Sequence, residues 1–248
     1  MGRRAPSERV TRTQARIAEV RAGDACIPIR DARDTLRAGV PVWVEQERHL
    51  FPFGCAVPEL TQRAEAERER YQARLHELFN YIVPADQTAL DSTSRRVEVT
   101  EPVHLGLLHR RLEELARDGG ALEVHVWGDA VGMTEGGDER AAGKRAADLY
   151  TLCFAHAAVS RIVWHGLADG DADARGGGLL RRDLAPTYAY HALRKLITLD
   201  WHTRADGVSD ADGVFHFRGF FGDYRVGIDV DESALRVETF ALRPGRPP

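Results

Sequence analysis

Helix-like and strand-like segments alternate along this chain in a way that leaves few folds open. Two short apolar runs, Ala121-Leu-Glu-Val-His-Val-Trp-Gly-Asp129 and Val159-Ser-Arg-Ile-Val-Trp-His-Gly-Leu-Ala-Asp169, each follow an amphipathic segment and each end in a tryptophan, a histidine and an acid. Ahead of the first, Leu105, Leu108, Leu112 and Leu115 fall on one helical face, and Gly119-Gly120 stops that helix. Ahead of the second, a Gly-rich loop leads into a helix predicted over residues 139–156. Such alternation predicts a parallel sheet, whose chemistry collects at the C-terminal ends of the strands.

Further strands are expected in the runs His49-Leu-Phe-Pro-Phe-Gly-Cys-Ala-Val57 and Tyr81-Ile-Val83, with a charged helix from Glu65 to Leu78 between them. That makes four strands in the α/β region. Both ends of the chain read differently. Residues 1–20 read as a helix or a frayed terminus, followed by β-type runs at Cys26-Ile-Pro-Ile-Arg30 and Val40-Pro-Val-Trp-Val44. A last helix is expected from Pro186 to Ile197. The tail from Trp201 reads as short strands, with Asp-Gly turns at Asp206-Gly207 and Asp212-Gly213.

Composition excludes several classes. The chain has 248 residues, 43% of them hydrophobic, enough for a real core. A net charge of -4 gives no reason to expect nucleic acid or an anionic membrane as partner. The N-terminal arginines (Arg3, Arg4, Arg9, Arg12, Arg16) are interleaved with Glu8 and Glu19, as on a solvated helix. Three widely spaced cysteines, Cys26, Cys55 and Cys153, form no metal or disulfide framework and suit a reducing compartment. No apolar run reads as a signal peptide or a membrane span, so a cytoplasmic location is expected. No metal and no cofactor are expected: His104 and His109 lie on a helix without ligand spacing. Gly176-Gly-Gly178 lacks the strand-turn-helix context of a phosphate cradle.

Taken together, several segments resemble the family 10 glycoside hydrolases, the xylanase-type (β/α)8 barrels, and within them the subgroup whose barrel is flanked by β-rich segments. Residues 49–57 are similar to that family's first strand, and Phe79-Asn-Tyr-Ile-Val-Pro-Ala-Asp-Gln-Thr88 to its second strand and following loop. Residues 103–129 resemble the helix and strand that carry the nucleophile. Residues 149–196 resemble the last turn of the barrel, and residues 213–226 the subgroup's tail. Nothing resembles strands three to six, so the acid/base glutamate of the family is absent. The nucleophile position reads as Val126, and the sugar-gripping Asn and Lys correspond to Asp86 and Ala89. Retaining glycosidases need two carboxylates about 5–5.5 Å apart, a pair this chain does not assemble.

The resemblance implies an α/β fold: a partial (half) TIM-type barrel over residues 48–198. It would be flanked by an N-terminal helix and β-rich segment (1–47) and by a C-terminal β-rich, sandwich-like segment (199–248) packing with it. A half barrel has two open edges, which implies a second protein subunit completing it, or an edge-to-edge homodimer.

The expected function is that of a subunit of a heteromeric biosynthetic enzyme doing non-glycosidase chemistry on a small molecule. One concrete form is displacement of a leaving group by an internal amine, a small-ring cyclisation such as aziridine formation. Asp129 and Asp86 are candidate bases, and His165 a candidate for stabilising the departing anion. Trp127 and Trp164 could wall a pocket or pack in the core; Asp129 could equally cap a turn. His125 reaches a pocket only if Val124 and Val126 face the helices. Asp169 either contributes to the pocket or pairs with Arg175 to order a loop. Two alternatives stand beside this reading. One is a non-catalytic carbohydrate-binding or scaffold protein stacking sugars on Trp127 and Trp164. The other is a residual glycoside hydrolase drawing on Asp86, Asp129 and Asp169.

Overall fold

In the computed structural model, residues 8–31, 33–58, 63–84, 94–133, 136–171, 174–231 and 234–245 are described. The elements follow in the order α1 (Glu8–Arg21), β1 (Ala22–Pro28), β2 (Pro41–His49), β3 (Phe53–Val57), α2 (Glu65–Leu78), β4 (Tyr81–Pro84), β5 (Ser94–Val99), α3 (Leu105–Arg117), β6 (Ala121–Val126), α4 (Glu139–Ala155), β7 (Val159–His165) and α5 (Tyr188–Lys195). Strands β8 (Arg204–Val208), β9 (Val214–Phe220), β10 (Gly222–Asp231) and β11 (Ala234–Leu242) complete the chain. The chain divides into two compact units, one built mainly from Pro52–Asp200, the other from Ala15–Phe51 and Trp201–Pro248. No helix among the described residues is long and apolar enough to cross a membrane.

The larger unit carries a five-stranded parallel sheet in the order β4-β3-β7-β6-β5. This corrects the expected half barrel. The unit has five parallel strands rather than four, no pairing joins β4 to β5 among the described residues, and the remainder of the fold is antiparallel. The fifth strand, β5, pairs with β6 from Ser94↔Ala121 to Val99↔Val126. It escapes a search for apolar runs because Arg95, Arg96 and Glu98 interrupt the valines. Its buried positions, Ser94, Val97 and Val99, carry few apolar side chains.

One face of this sheet is apolar. Parallel register places Phe53, Ile162 and Val124 in one row, and Cys55, Trp164 and Val126 in the next. All six are buried, and Phe154 of α4 packs its ring 5.3 Å from that of Phe53. Helices α4 and α5 start at side-chain caps: Asp138 accepts from the amides of Arg140 and Ala141 at 3.0 Å each, and Thr187 accepts from Tyr190.

The smaller unit holds a four-stranded antiparallel sheet, β11-β10-β2-β8, and the two-stranded pair β1-β9. Its core gathers Val42, Val44, Phe215, Tyr224, Val226 and Ile228. Asp212-Gly213 forms a turn as expected, with Gly213 at φ 74 donating to the Asp210 carbonyl. Asp206-Gly207 does not. It lies within β8, paired with Trp43 and Val42, where a glycine leaves room for the Phe215 ring.

Phe154 has no accessible surface and anchors α4 to the sheet. Its replacement by alanine should cost about 3–5 kcal/mol, read as a drop in the urea midpoint at unchanged slope.

Candidate functional site

On the opposite face of the parallel sheet, polar groups gather toward β5, β6 and β7, beside an apolar patch of Ala56, Val83 and Val163. Period-two alternation sends Glu123, His125 and then Trp127 away from the helices, while Leu122, Val124 and Val126 enter the core. Register brings Arg96 opposite Glu123 and Glu98 opposite His125 on one side. On the other it brings Arg161 opposite Glu123 and Val163 opposite His125. His165, two residues on from Val163, shares this face.

These groups form one connected cluster. His125 Nδ1 and His165 Nε2 are 2.7 Å apart, in hydrogen-bond contact, and both rings are buried. Trp127 stacks on His165 with centroids 3.9 Å apart and planes at 13°. Glu123, only 4% exposed, lies 3.7 Å from His125 Nε2 and 3.3 Å from Arg161 Nε. Arg161 also donates to the Tyr81 hydroxyl at 2.9 Å and lies over its ring. Arg175 closes the other end, its guanidinium 5.9 Å from the Trp127 ring centroid.

Electrostatics keep both imidazoles neutral. Burial is the main cause, bringing His125 down to about 3 and His165 to about 4. Arg96 adds to both shifts, with His165 and Arg161 acting further on His125, and Arg175 on His165. A neutral pair sharing one hydrogen bond has one donor nitrogen and one acceptor. The Glu123 carboxylate favours the proton of His125 on Nε2. His125 Nδ1 then accepts from His165 Nε2–H. The row Glu123–His125–His165 is thus arranged to take a proton at His165 and share its charge inward.

The residues expected to act are dispersed by the structure. His125, His165 and Trp127 come together. Trp164 lies on the opposite face with no accessible surface, its indole N–H donating to the Gly166 carbonyl at 3.0 Å, so its ring offers no face to a ligand. Asp129 sits in a 3-10 turn over Gly128–Val131, against the loop that follows β7. A Cβ at Gly176 would fall 1.9 Å from its carboxylate, so this close approach requires glycine there. Asp169 accepts from the Gly178 amide at 2.7 Å, and the Arg175 guanidinium lies over the Trp127 ring. Asp169 also borders a cleft of ≈ 980 Å³ shared with Met133, Glu139 and Arg181, in which Arg181 and Glu139 are paired. Asp86 lies outside the described residues.

Sequence reasoning missed Glu123, Arg96 and Arg161. A signal was present in the strict alternation Leu122-Glu-Val-His-Val126, which marks Glu123 and His125 as neighbours on one face. No signal placed Arg96 beside them, because its strand was not foreseen.

Among the described residues, no group of His, Cys, Asp and Glu has the geometry of a metal site. No known family model matches the chain. Over 109 residues, 44% of the chain, it is 31% identical to the anti-sigma-I factor RsgI6 of Acetivibrio thermocellus; the match spans 14% of that protein's length.

The neutral histidines make stability depend on pH in a defined direction. An unfolded chain protonates its histidines near the ordinary value of 6.5, whereas native His125 and His165 resist protonation down to about 3 and about 4. Unfolding therefore takes up protons between those limits. Stability should be full above about pH 6.5, fall as the pH drops toward about 3, and level off below. Urea midpoints measured across that window should decline for the native chain and decline less for a His125→Gln/His165→Gln double variant.

Proposed function

We propose that this chain is a subunit of an enzyme that performs proton transfer and leaving-group displacement on a small molecule, using the polar face of the parallel sheet. The observation that carries the reading is the buried, neutral His125–His165 pair backed by Glu123 and bordered by Arg96, Arg161 and Arg175. A base that must remain uncharged and cations that receive departing negative charge are what an intramolecular displacement needs.

In the reaction envisaged, an amine of the substrate attacks a neighbouring carbon bearing an oxyacid ester. The N–C bond forms, the C–O bond breaks, the oxyanion departs toward the guanidinium groups, and the His125–His165 pair takes up the amine proton. The arginines have a second effect. Their field is one cause of the low basicity of both histidines, so an anion bound among them raises that basicity when substrate is present. The resemblance to family 10 glycoside hydrolases is read as ancestry, with the sugar-cleaving carboxylates replaced. The sugar-stacking alternative loses support because Trp164 is buried and Trp127 is covered by His165.

A partner is part of the proposal. Both edge strands, β4 and β5, lack a neighbour on their outer side among the described residues. Open edges of a parallel sheet are normally covered. The chain should therefore form a stable complex with the product of a neighbouring gene, measured as a mass above that of one chain.

The complex, given a vicinal amino ester of phosphate or sulfate, should release the free inorganic anion. His165→Gln should lower that rate by on the order of 10²-fold, and Arg161→Met should chiefly raise KM. Release no faster than in buffer, or unchanged by His165→Gln, overturns the reading.

A further inference from the structure

The smaller unit carries a second reactive constellation, unrelated to the polar face of the parallel sheet. In the antiparallel pair β1-β9, Cys26 stands directly opposite His216. Residues so paired have Cβ atoms about 4.5–5.5 Å apart, and here Cys26 Sγ lies 3.2 Å from His216 Nδ1. On the far side of the ring, His216 Nε2 lies 3.0 Å from Asp210 Oδ2. Asp210 is itself fixed: its other oxygen accepts from the amides of Asp212 and Val214, both at 2.9 Å. Those backbone donors, Val214 foremost and with help from His216, hold its carboxyl below the usual carboxylate range.

This order of groups decides the tautomer. A carboxylate only accepts, so Nε2 carries the ring proton and Nδ1 presents its lone pair to the thiol. Cys26 is exposed, and the next pair along the same face, Asp24 and Arg218, is closed on itself at 2.9 Å. The other two cysteines are buried, and burial pushes the Cys55 thiol well up.

We propose that Cys26, His216 and Asp210 form a nucleophilic thiol site that exchanges with small disulfides. His216 Nδ1 takes the thiol proton, and the Cys26 thiolate attacks one sulfur of R–S–S–R. A new S–S bond forms to Cys26, the old one breaks, and the leaving R–S⁻ takes the proton from His216. Asp210 is a positioning residue. Exchange requires a thiol, open approach and a proton acceptor, and this surface offers an exposed Cys26 with the His216 ring beside it. Unlike acyl transfer, it needs no oxyanion donors.

The test is incubation of the full chain with oxidised glutathione, followed by intact mass and peptide mapping over time. The expected result is a single adduct at Cys26, removed by dithiothreitol and absent in Cys26→Ser. His216→Gln should slow its formation about tenfold. Asp210→Asn, which keeps an oxygen for the turn amides, should slow it by a smaller factor. Circular dichroism of both variants should match that of the native chain, and protection of Cys55 and Cys153 provides a second check on folding. The proposal is overturned if no adduct forms, if Cys55 or Cys153 reacts as fast in the native chain, or if the folded His216→Gln variant reacts at the native rate.

Discussion

The register of β6 against β7 is the constraint on which the larger unit depends. In strands, neighbours alternate between faces, so a slip of β6 by one residue against β7 would carry Val124 and Val126 to the polar side and bury Glu123 and His125 against the helices. Several terms oppose that slip together. The apolar side chains would lose burial, and the Glu123 carboxylate would lose Arg161 in a site with almost no water. A buried charge stripped of its partner costs about 3–5 kcal/mol. The hydrogen bond between His125 and His165 exists only in the observed register, since it joins residues two steps apart on adjacent strands. Register thus sets fold and chemistry at once.

Polar groups concentrated on one face of a sheet are costly unless they satisfy one another. Glu123 lies 3.7 Å from the His125 ring and 3.3 Å from Arg161 Nε. The three arginines Arg96, Arg161 and Arg175 share this neighbourhood with the carboxylates Glu98 and Glu123. A purely structural network would be expected to balance closely. Among the described residues the guanidinium groups outnumber the carboxylates beside the neutral imidazoles, and that is why the proposed chemistry gives the arginines the leaving group.

The smaller unit solves a different problem. Its antiparallel pairs place one face in a core around Tyr224 and leave the other to solvent. Cross-strand opposition on that outer face is sufficient to bring a thiol, an imidazole and a turn-capping carboxylate into line, with residues 190 positions apart in sequence. The two clusters contain similar residue types yet differ in accessibility. The histidines of the parallel sheet are held neutral by burial, whereas the His216 side chain is exposed.

Much of the architecture was legible in the sequence, because period and punctuation are local. The helices at Glu65–Leu78, Leu105–Arg117 and Glu139–Ala155, the strands around Val124 and Ile162, and the turn at Asp212-Gly213 all follow from apolar spacing and glycine placement. A half barrel with two open edges was inferred from resemblance, and it fails because strand partners are not a local property: a five-stranded parallel sheet stands beside antiparallel sheets. A charged edge strand, β5, joined the sheet beside β6, and Asp206-Gly207 became the middle of a strand rather than a turn. At the site, sequence marked the ends of β6 and β7 and therefore His165, with His125 left dependent on which face the valines took. Tertiary structure alone decided that His125 meets His165, that Trp164 turns inward, that Arg96 and Arg161 join Glu123, and that Cys26 finds His216. Each of those contacts is set by cross-strand register, and register is fixed only when whole faces are buried together.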